Sequence, residues 1–580
     1  MVLSDWPVDL RPAGADGDRR GNGTMNTQLR TGAELLVDAL VTNNVGMAFG
    51  VPGESYLAVL DALYASNKID MITCRQEGGA AMMADAYGKL TGRPGICFVT
   101  RAPGATNASA GVHIAYQDST PMILFVGQVA RSMADREAFQ EIDYRRMFGQ
   151  MSKWTAQIDD PARVPEYVSH AFHLAQSGRP GPVVLALPED MLCERTTGSE
   201  IAPARRIEAH PGADDLAVFH DLLAKAERPL AIIGGSGWTA DACAAFQSFA
   251  EIHRLPVACA FRFQHLFDNN HANYVGDVGI GINPALRRMV VEADLVVALG
   301  PRLGEMTTGG YTLFEIPTPH QKLVHVHAGA EELGRVYQPA LAINAAPAAF
   351  VAALSDTMPD RRRTDDRTRA ARASYLAWTE PTAAAGDLNL SEVMVWLRDN
   401  LPRDAIVTNG AGNYSAWVHR FYRYPGFGSG LAPTSGSMGY GTPAAVAAKR
   451  LYPDRPVVAF AGDGCFLMNG QELATAVQYD IRLIIIVVNN GMYGTIRMHQ
   501  EREYPGRVMA TDLKNPDFSE LARAYGASGE VVSRTADFAD AFQRALACGR
   551  PALIELRTDP DVITPSTTLS AIRQAAQEKS

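Results

Sequence analysis

Along most of the chain, short apolar runs rich in β-branched residues alternate with longer stretches in which Ala, Gly and Leu recur at helical spacing. MITC (71–74) is followed by EGGAAMMADAYGKL and ICFVT (96–100) by NASAGVHIAYQ; MILFVG, VVLAL, LAIIGG, LVVALG, LVHVH, AIVTNG, VVAFAG and LIIIVVNN continue the series. Runs this short and this uniformly apolar suit strands buried on both faces of a parallel sheet, with the helical stretches as crossovers. The pattern predicts an α/β protein made of doubly wound parallel sheets.

Two polar, Pro- or Gly-punctuated stretches, 193–213 and 356–387, interrupt the alternation and read as linkers, the second with room for some helix. Cutting there predicts three domains, 27–192, 212–355 and 388–560, flanked by a disordered tail over 1–26 and a polar tail over 561–580. The first 26 residues contain no apolar core of a signal sequence, and the run Leu483 to Val488 is far too short to span a bilayer. A net charge of −10 over 580 residues gives no general attraction to nucleic acid or to an anionic membrane. Seven cysteines without a CxxC pair lack a zinc or redox-motif signature and fit a reducing compartment. A cytoplasmic enzyme acting on small molecules is the expectation.

Chemistry concentrates in VVAFAGDGCFLMNGQELATAVQYDIRLIIIVVNNGMYGT, residues 457–495. It reads as strand, glycine-framed turn, helix beginning near Asn469, buried strand and polar turn. In a parallel unit both strand ends open on one edge, where open α/β sheets bind ligands, so Asp463 and Asn490 are expected to meet. Two oxygen side chains suit Mg²⁺, which shares its shell with phosphate oxygens. Gly462 and Gly464 permit close backbone approach, and the positive end of the helix favours an anion.

The GDG…NN spacing, with Gly464 and Asn489 enclosing positions 465 to 488, resembles the signature of the thiamine-diphosphate enzyme superfamily. By that resemblance Asp463, Asn490 and the main-chain oxygen of Met492 would hold Mg²⁺, while backbone at Gly464 and Cys465 would contact the diphosphate. The cofactor supplies the carbanion chemistry in such enzymes, and a carboxylate must exchange a proton with its aminopyrimidine. CRQEGGAAMMADAYGKLTGRPG matches the family pattern around that carboxylate, which makes Glu77 the activator. In PTSGSMGYGTPAAVAAK the resemblance implies that the Gly436 carbonyl and Met438 amide bond the pyrimidine, with the Met438 side chain wedged under the bent cofactor. NGAGNYSAW places Gly412, Asn413 and Tyr414 at the diphosphate. Glu77 lies in the first unit and the other groups in the third. In the superfamily one subunit's first domain faces another's third, so the resemblance implies a homodimer at least, with tetramers common.

Within the superfamily the chain is most similar to acetolactate synthase, through TGRPGICFVT, PGATNASAGVHIAYQDSTPMILFVGQVARS, AFQEID, SKW and ADLVVALGPR. That similarity places Gln128, Phe139–Gln140 and Lys153 in the substrate channel. Several positions depart from the synthase pattern. Pro52–Gly53–Glu54 replaces PGG, which would bring Glu54 near the reacting carbon or leave it capping the helix that follows. Arg101–Ala102–Pro103–Gly104 replaces SGPG. In the flavin region, Met306 stands for an arginine and Ala328 for a carboxylate, which argues against a structural FAD. Beyond the NN, Gly494 to His499 looks more like benzoylformate decarboxylase and benzaldehyde lyase. The expected activity is carboligation: decarboxylation of a 2-oxo acid such as pyruvate and addition to a second carbonyl. The alternative is a non-oxidative decarboxylase or a C–C lyase, including the 2-hydroxyacyl-CoA lyase type.

Overall fold

The computed structural model describes residues 29–354 and 364–578; the expected 1–26 tail and part of the second linker lie outside the described residues. Three six-stranded sheets organise the chain, and within each all neighbours run parallel. The first runs, edge to edge, Asp70–Thr73, Met47–Gly50, Gly95–Val99, Met122–Gln128, Pro182–Pro188 and Trp154–Gln157. The third runs Gly430–Leu431, Ile406–Asn409, Val457–Gly462, Ile484–Asn489, Ala552–Arg557 and Ser528–Val532. Numbered within their domains, both sheets have the order 2-1-3-4-6-5. The middle sheet differs: Tyr274–Asp277, Val257–Cys259, Pro229–Ile233, Leu295–Leu299, Lys322–His327 and Leu341–Asn344 follow the dinucleotide-fold order 3-2-1-4-5-6. Central strands such as Met122–Gln128 are buried along their whole length, which is why they read as apolar runs without alternation.

The first and third domains share one core. Buried apolar side chains continue from Met82, Met83 and Ala86 on the helix Glu77–Thr91 to Ala444 and Ala448 on the helix Gly441–Leu451. Small residues bring helices close here: a Cβ on Gly111, in the helix Ala102–Asp118, would fall 2.3 Å from that of Ala81. A buried polar knot fastens the junction. Lys89 Nζ lies 2.9 Å from Asp85 and 2.5 Å from Asp118, and the Tyr440 hydroxyl donates to Asp85 at 2.7 Å. Asp118 also accepts from the amides of Thr434 and Ser435, in the third domain. Burial pushes the Asp85 carboxyl up, opposed by the Lys89 ammonium. A cation between two carboxylates is the arrangement that makes such burial tolerable.

The second linker and the C-terminal stretch both carry regular structure. The linker carries the helix Asp366–Trp378, whose Arg372 donates to the carbonyls of Asn269 and Tyr274 in the middle domain. The stretch 561–580, expected to be a polar tail, forms a hairpin of Val562–Thr564 with Thr567–Thr568 and then a helix, Leu569–Gln577, capped by the Thr568 side chain. Ile563, Leu569 and Ile572 pack on Met492 and Met498, and Arg573 pairs with the buried Glu501 at 2.8 Å. Three well-spaced apolar residues suffice to dock a helix whose composition is otherwise polar. Among the described residues, no helix is long and apolar enough to cross a membrane.

Candidate active site

Gly462 pairs with Val488 in the third sheet, so the turns that leave these two strands begin at the same level of the carboxyl edge. Asp463 and the Asn489–Asn490 pair emerge side by side. The helix after the first turn starts at Asp463 and runs to Asn469, earlier than the expected start near Asn469, because Gly462 already has the extended conformation of a cap. A second helix, Glu472–Gln478, follows.

Asp463 is 2% exposed. Its Oδ1 accepts from the Gly464 amide at 2.8 Å, and its Oδ2 accepts from the Gly491 amide at 2.9 Å and from Asn515 Nδ2 at 2.8 Å. Burial raises the carboxyl's pKa while these donors pull it back. Asn515 also donates to Asn489 Oδ1 at 3.0 Å, and Asn489 Nδ2 donates to the buried Glu555 at 2.9 Å. The loop 511–515 braces the second turn through a bridge between Met492 and Asp512 and a Leu513 amide bond to the Gly491 carbonyl. Sequence reasoning missed Asn515 and Glu555. Neither sits in a spacing pattern, and an Asn before a Pro reads only as a turn.

Among the described residues no three His, Cys, Asp or Glu side chains converge as a self-sufficient metal site. What the two turns offer is one carboxylate, amide oxygens and main-chain carbonyls. That hard, sparse donor set fits Mg²⁺ completing its shell with diphosphate oxygens. Gly464 could carry no side chain, since a Cβ would fall 2.6 Å from the Tyr493 ring.

The other residues expected at the cofactor gather around these turns. The Tyr414 hydroxyl accepts from the Gly410 amide at 2.9 Å and lies 3.4 Å from Cys465 Sγ, which itself accepts from the Gly439 amide. The Tyr414 ring lies within 3.1 Å of where side chains at Gly412 and Gly462 would begin. Asn413 joins the C-terminal hairpin to the site, donating to the Ile563 carbonyl at 3.1 Å and accepting from Thr495 Oγ1 at 2.9 Å. Gly436 has φ +69, which favours glycine, and open space where a Cβ would be. Met438, half-buried, packs on the shared core. Gly412, Asn413 and Gly436 line a cavity of about 1280 Å³ that extends into the middle domain.

Glu77 opens the helix Glu77–Thr91 at the carboxyl edge of the first sheet, as expected, and accepts from Asn107 Nδ2 at 2.9 Å. Its loop is fixed from below by Glu472 of the third domain. That fully buried carboxylate accepts from the amides of Arg75 (3.1 Å) and Gln76 (3.0 Å) and from Thr475 Oγ1 (2.6 Å). Burial raises its pKa against those bonds.

The expected channel residues divide. Gln128 ends its strand on the Glu77 edge, but both ends of its amide are used, by the Ile142 carbonyl and the Val129 amide. Lys153 precedes the strand Trp154–Gln157 and so lies at the opposite, amino edge of the sheet. There its ammonium donates to the carbonyls of Leu174 and Ser177, and burial lowers its pKa to about 8. A parallel strand delivers the residues after it to the active edge, and Lys153 comes before. Glu54 does not cap the helix that follows: its carboxylate, 68% exposed, accepts from Arg101 at 2.9 Å. In the middle domain, Arg302 is already bonded to the Gln117 carbonyl at 3.0 Å and paired with Glu332 at 3.3 Å, and His327 Nδ1 is engaged by Gly329. Met306 and His327 face the large cavity.

Family models of the thiamine pyrophosphate enzymes match all three domains: the N-terminal TPP binding domain over 30–147, the central domain over 216–354 and the C-terminal TPP binding domain over 410–556. Among full-length relatives, the acetolactate synthase large subunit of Parasynechococcus marenigrum is 34% identical over 522 residues, 87% of this chain and 84% of its own. The acetolactate synthase isozyme 2 large subunit of Escherichia coli is 30% identical over 91% of this chain and 95% of its own. A probable acetolactate synthase large subunit of Methanocaldococcus jannaschii is 30% identical over 92% and 93%. With these matches along its length, and with three parallel sheets that correspond to the three models, the chain belongs to the three-domain thiamine pyrophosphate enzyme family.

Proposed function

We propose that the protein is a thiamine-diphosphate- and Mg²⁺-dependent carboligase of the acetolactate synthase type, which decarboxylates a 2-oxo acid and adds the resulting carbon nucleophile to a second carbonyl. The observation that carries this reading is the pairing of two differently equipped edges: Asp463 and Asn490 on adjacent turns of the third sheet, and Glu77 at a helix start on the first. Bound thiamine diphosphate supplies the stabilised carbanion. Asp463, Asn490 and the Met492 carbonyl hold the metal, and backbone at Gly464 and Cys465 receives the diphosphate. The Gly436 carbonyl and Met438 amide orient the pyrimidine, and Glu77, held by Asn107, moves a proton at its ring nitrogen.

A homodimer, or a dimer of dimers, completes each site in this reading. Leu467 and Met468, each 46% exposed on the helix that starts at Asp463, support it, as does Leu57, 61% exposed just beyond the Glu54 turn. A panel of 2-oxo acids, each with and without aldehyde acceptors, tests the proposal. Cofactor-dependent CO₂ release with a new C–C bond in the product is expected. Release of the free aldehyde alone would favour the decarboxylase or lyase alternative suggested by Gly494 to His499. No cofactor-dependent release from any 2-oxo acid would overturn the reading.

A further inference from the structure

Two of the departures from the synthase pattern, Glu54 and Arg101, are bonded to each other. Their strands are neighbours, and Met47–Gly50, which leads to Glu54, lies between the strands leading to Glu77 and Arg101. The loops interlock: a Cβ on Gly53 would fall 2.4 Å from Thr100, and the hydroxyls of Ser55 and Thr100 are 2.9 Å apart. Three residues past Arg101, a Cβ on Gly104 would stand 3.2 Å from Glu77 Oε1. The pair therefore stands at the start of the helix whose first turn flanks the carboxylate assigned to proton transfer.

Arg101 is the fixed member, with its side chain 8% exposed. One Nη donates to Glu54 at 2.9 Å, the other to Glu189 at 2.8 Å, and Nε has no partner. Glu189 follows the strand Pro182–Pro188 on the same edge. A guanidinium on this edge is a ready bidentate partner for a carboxylate. Here its face is already taken, and the trio carries a net charge of −1.

We propose that Glu54 takes, on Arg101, the place an acceptor carboxylate would occupy, so that the enzyme prefers an aldehyde over a second 2-oxo acid as acceptor. The proposal rests on the carboligase reading above. Decarboxylation breaks the donor's C1–C2 bond and releases CO₂. The electron pair left behind forms the bond to the acceptor's carbonyl carbon, and the acceptor oxygen gains one proton. An acceptor that keeps its own carboxylate must displace Glu54 and then sit against two carboxylates. An aldehyde meets neither obstacle.

The test uses the holoenzyme with the donor that the panel identifies, offered together with the aldehyde derived from it. The readout is the ratio of the two ligation products, self-ligated hydroxy acid to hydroxyketone, which is independent of total turnover. Glu54→Gln keeps the shape and removes one charge, leaving Arg101 a neutral amide oxygen that an incoming carboxylate displaces more readily. The ratio should rise by up to about fivefold, the scale of one exposed charge pair, with a lower KM for the 2-oxo acid in its acceptor role. Adding Arg101→Gln should cancel the rise. An unchanged ratio in Glu54→Gln overturns the proposal, as does a rise that survives in the double variant. Absence of both ligation products in every form, or loss of cofactor-dependent CO₂ release in the unaltered protein, would instead sink the carboligase reading.

Discussion

The carboxylate of Glu472 gives the sharpest test of how the third domain holds the Glu77 loop. In Glu472→Ala the amides of Arg75 and Gln76 lose their acceptor. A buried donor left unpaired costs about 1–3 kcal/mol, and because Arg75 is exposed, water will recover part of the loss, so about 2 kcal/mol in total is expected. That corresponds to roughly thirtyfold more frequent opening of the loop. Glu472→Gln should behave differently. Its amide oxygen can accept from both backbone donors, its NH₂ can donate to Thr475 Oγ1, and the desolvated charge is gone, so the change should stay within about 1 kcal/mol. The assay is hydrogen exchange of the peptide containing residues 73–77. A local measure is preferable to a melting point in a three-domain chain, where unfolding is not two-state. pH adds a second signature. A carboxyl whose folded pKa is raised contributes stability that is full below the unfolded value and lost as pH rises through the folded one, so wild-type loop protection should fall across that window and Glu472→Gln should flatten it. Unaltered exchange in Glu472→Ala, or equal effects of Ala and Gln, would refute the reasoning.

Asp463→Ala should abolish binding of Mg²⁺ and thiamine diphosphate by calorimetry; wild type should gain about 2.7 kcal/mol of stability at a hundredfold excess of ligand over Kd, and the variant should gain none. Glu77→Gln should retain cofactor binding while turnover falls by roughly two to four orders of magnitude, and hydrogen–deuterium exchange at the cofactor's C2 at the wild-type rate would count against Glu77 as activator. Arg573→Met should leave Glu501 without its ion pair and release the C-terminal helix, read as severalfold faster limited proteolysis there. Because Arg573 holds the Glu501 carboxyl below its usual range, the intact docking should be lost as pH falls through that lowered value and be stable above it.

What could be read in the sequence was whatever a local pattern encodes. Parallel strands announce themselves as apolar runs, and the meeting of Asp463 with Asn490 follows from two such strands being neighbours. The place of Glu77 at a helix start on the carboxyl edge was legible because its whole flanking segment is patterned. Lys153 was misplaced because a motif shows which strand a residue adjoins but gives no weight to whether it comes before or after it. Asn515, Glu472 and Glu555 act across separations of 26 to 397 residues, and nothing in their own surroundings points at their partners. The Glu54–Arg101 bond was in view as two separate oddities, and only the strand order joins them. The C-terminal helix escaped because its docking depends on a few apolar side chains in a polar segment.

The first and third sheets have the same strand order, so their carboxyl-edge loops can be matched one for one. The loop after the third strand holds Asp463 in one sheet and Arg101 in the other; the loop after the second holds Gly436 in one and Glu77 in the other. Equivalent positions have taken opposite characters, anion against cation and bare backbone against carboxylate. A single scaffold has been used twice and equipped differently each time. A substitution at one loop is therefore best judged beside the residue standing at the same loop of the other sheet, since the backbone geometry is shared and only the side chain sets the chemistry.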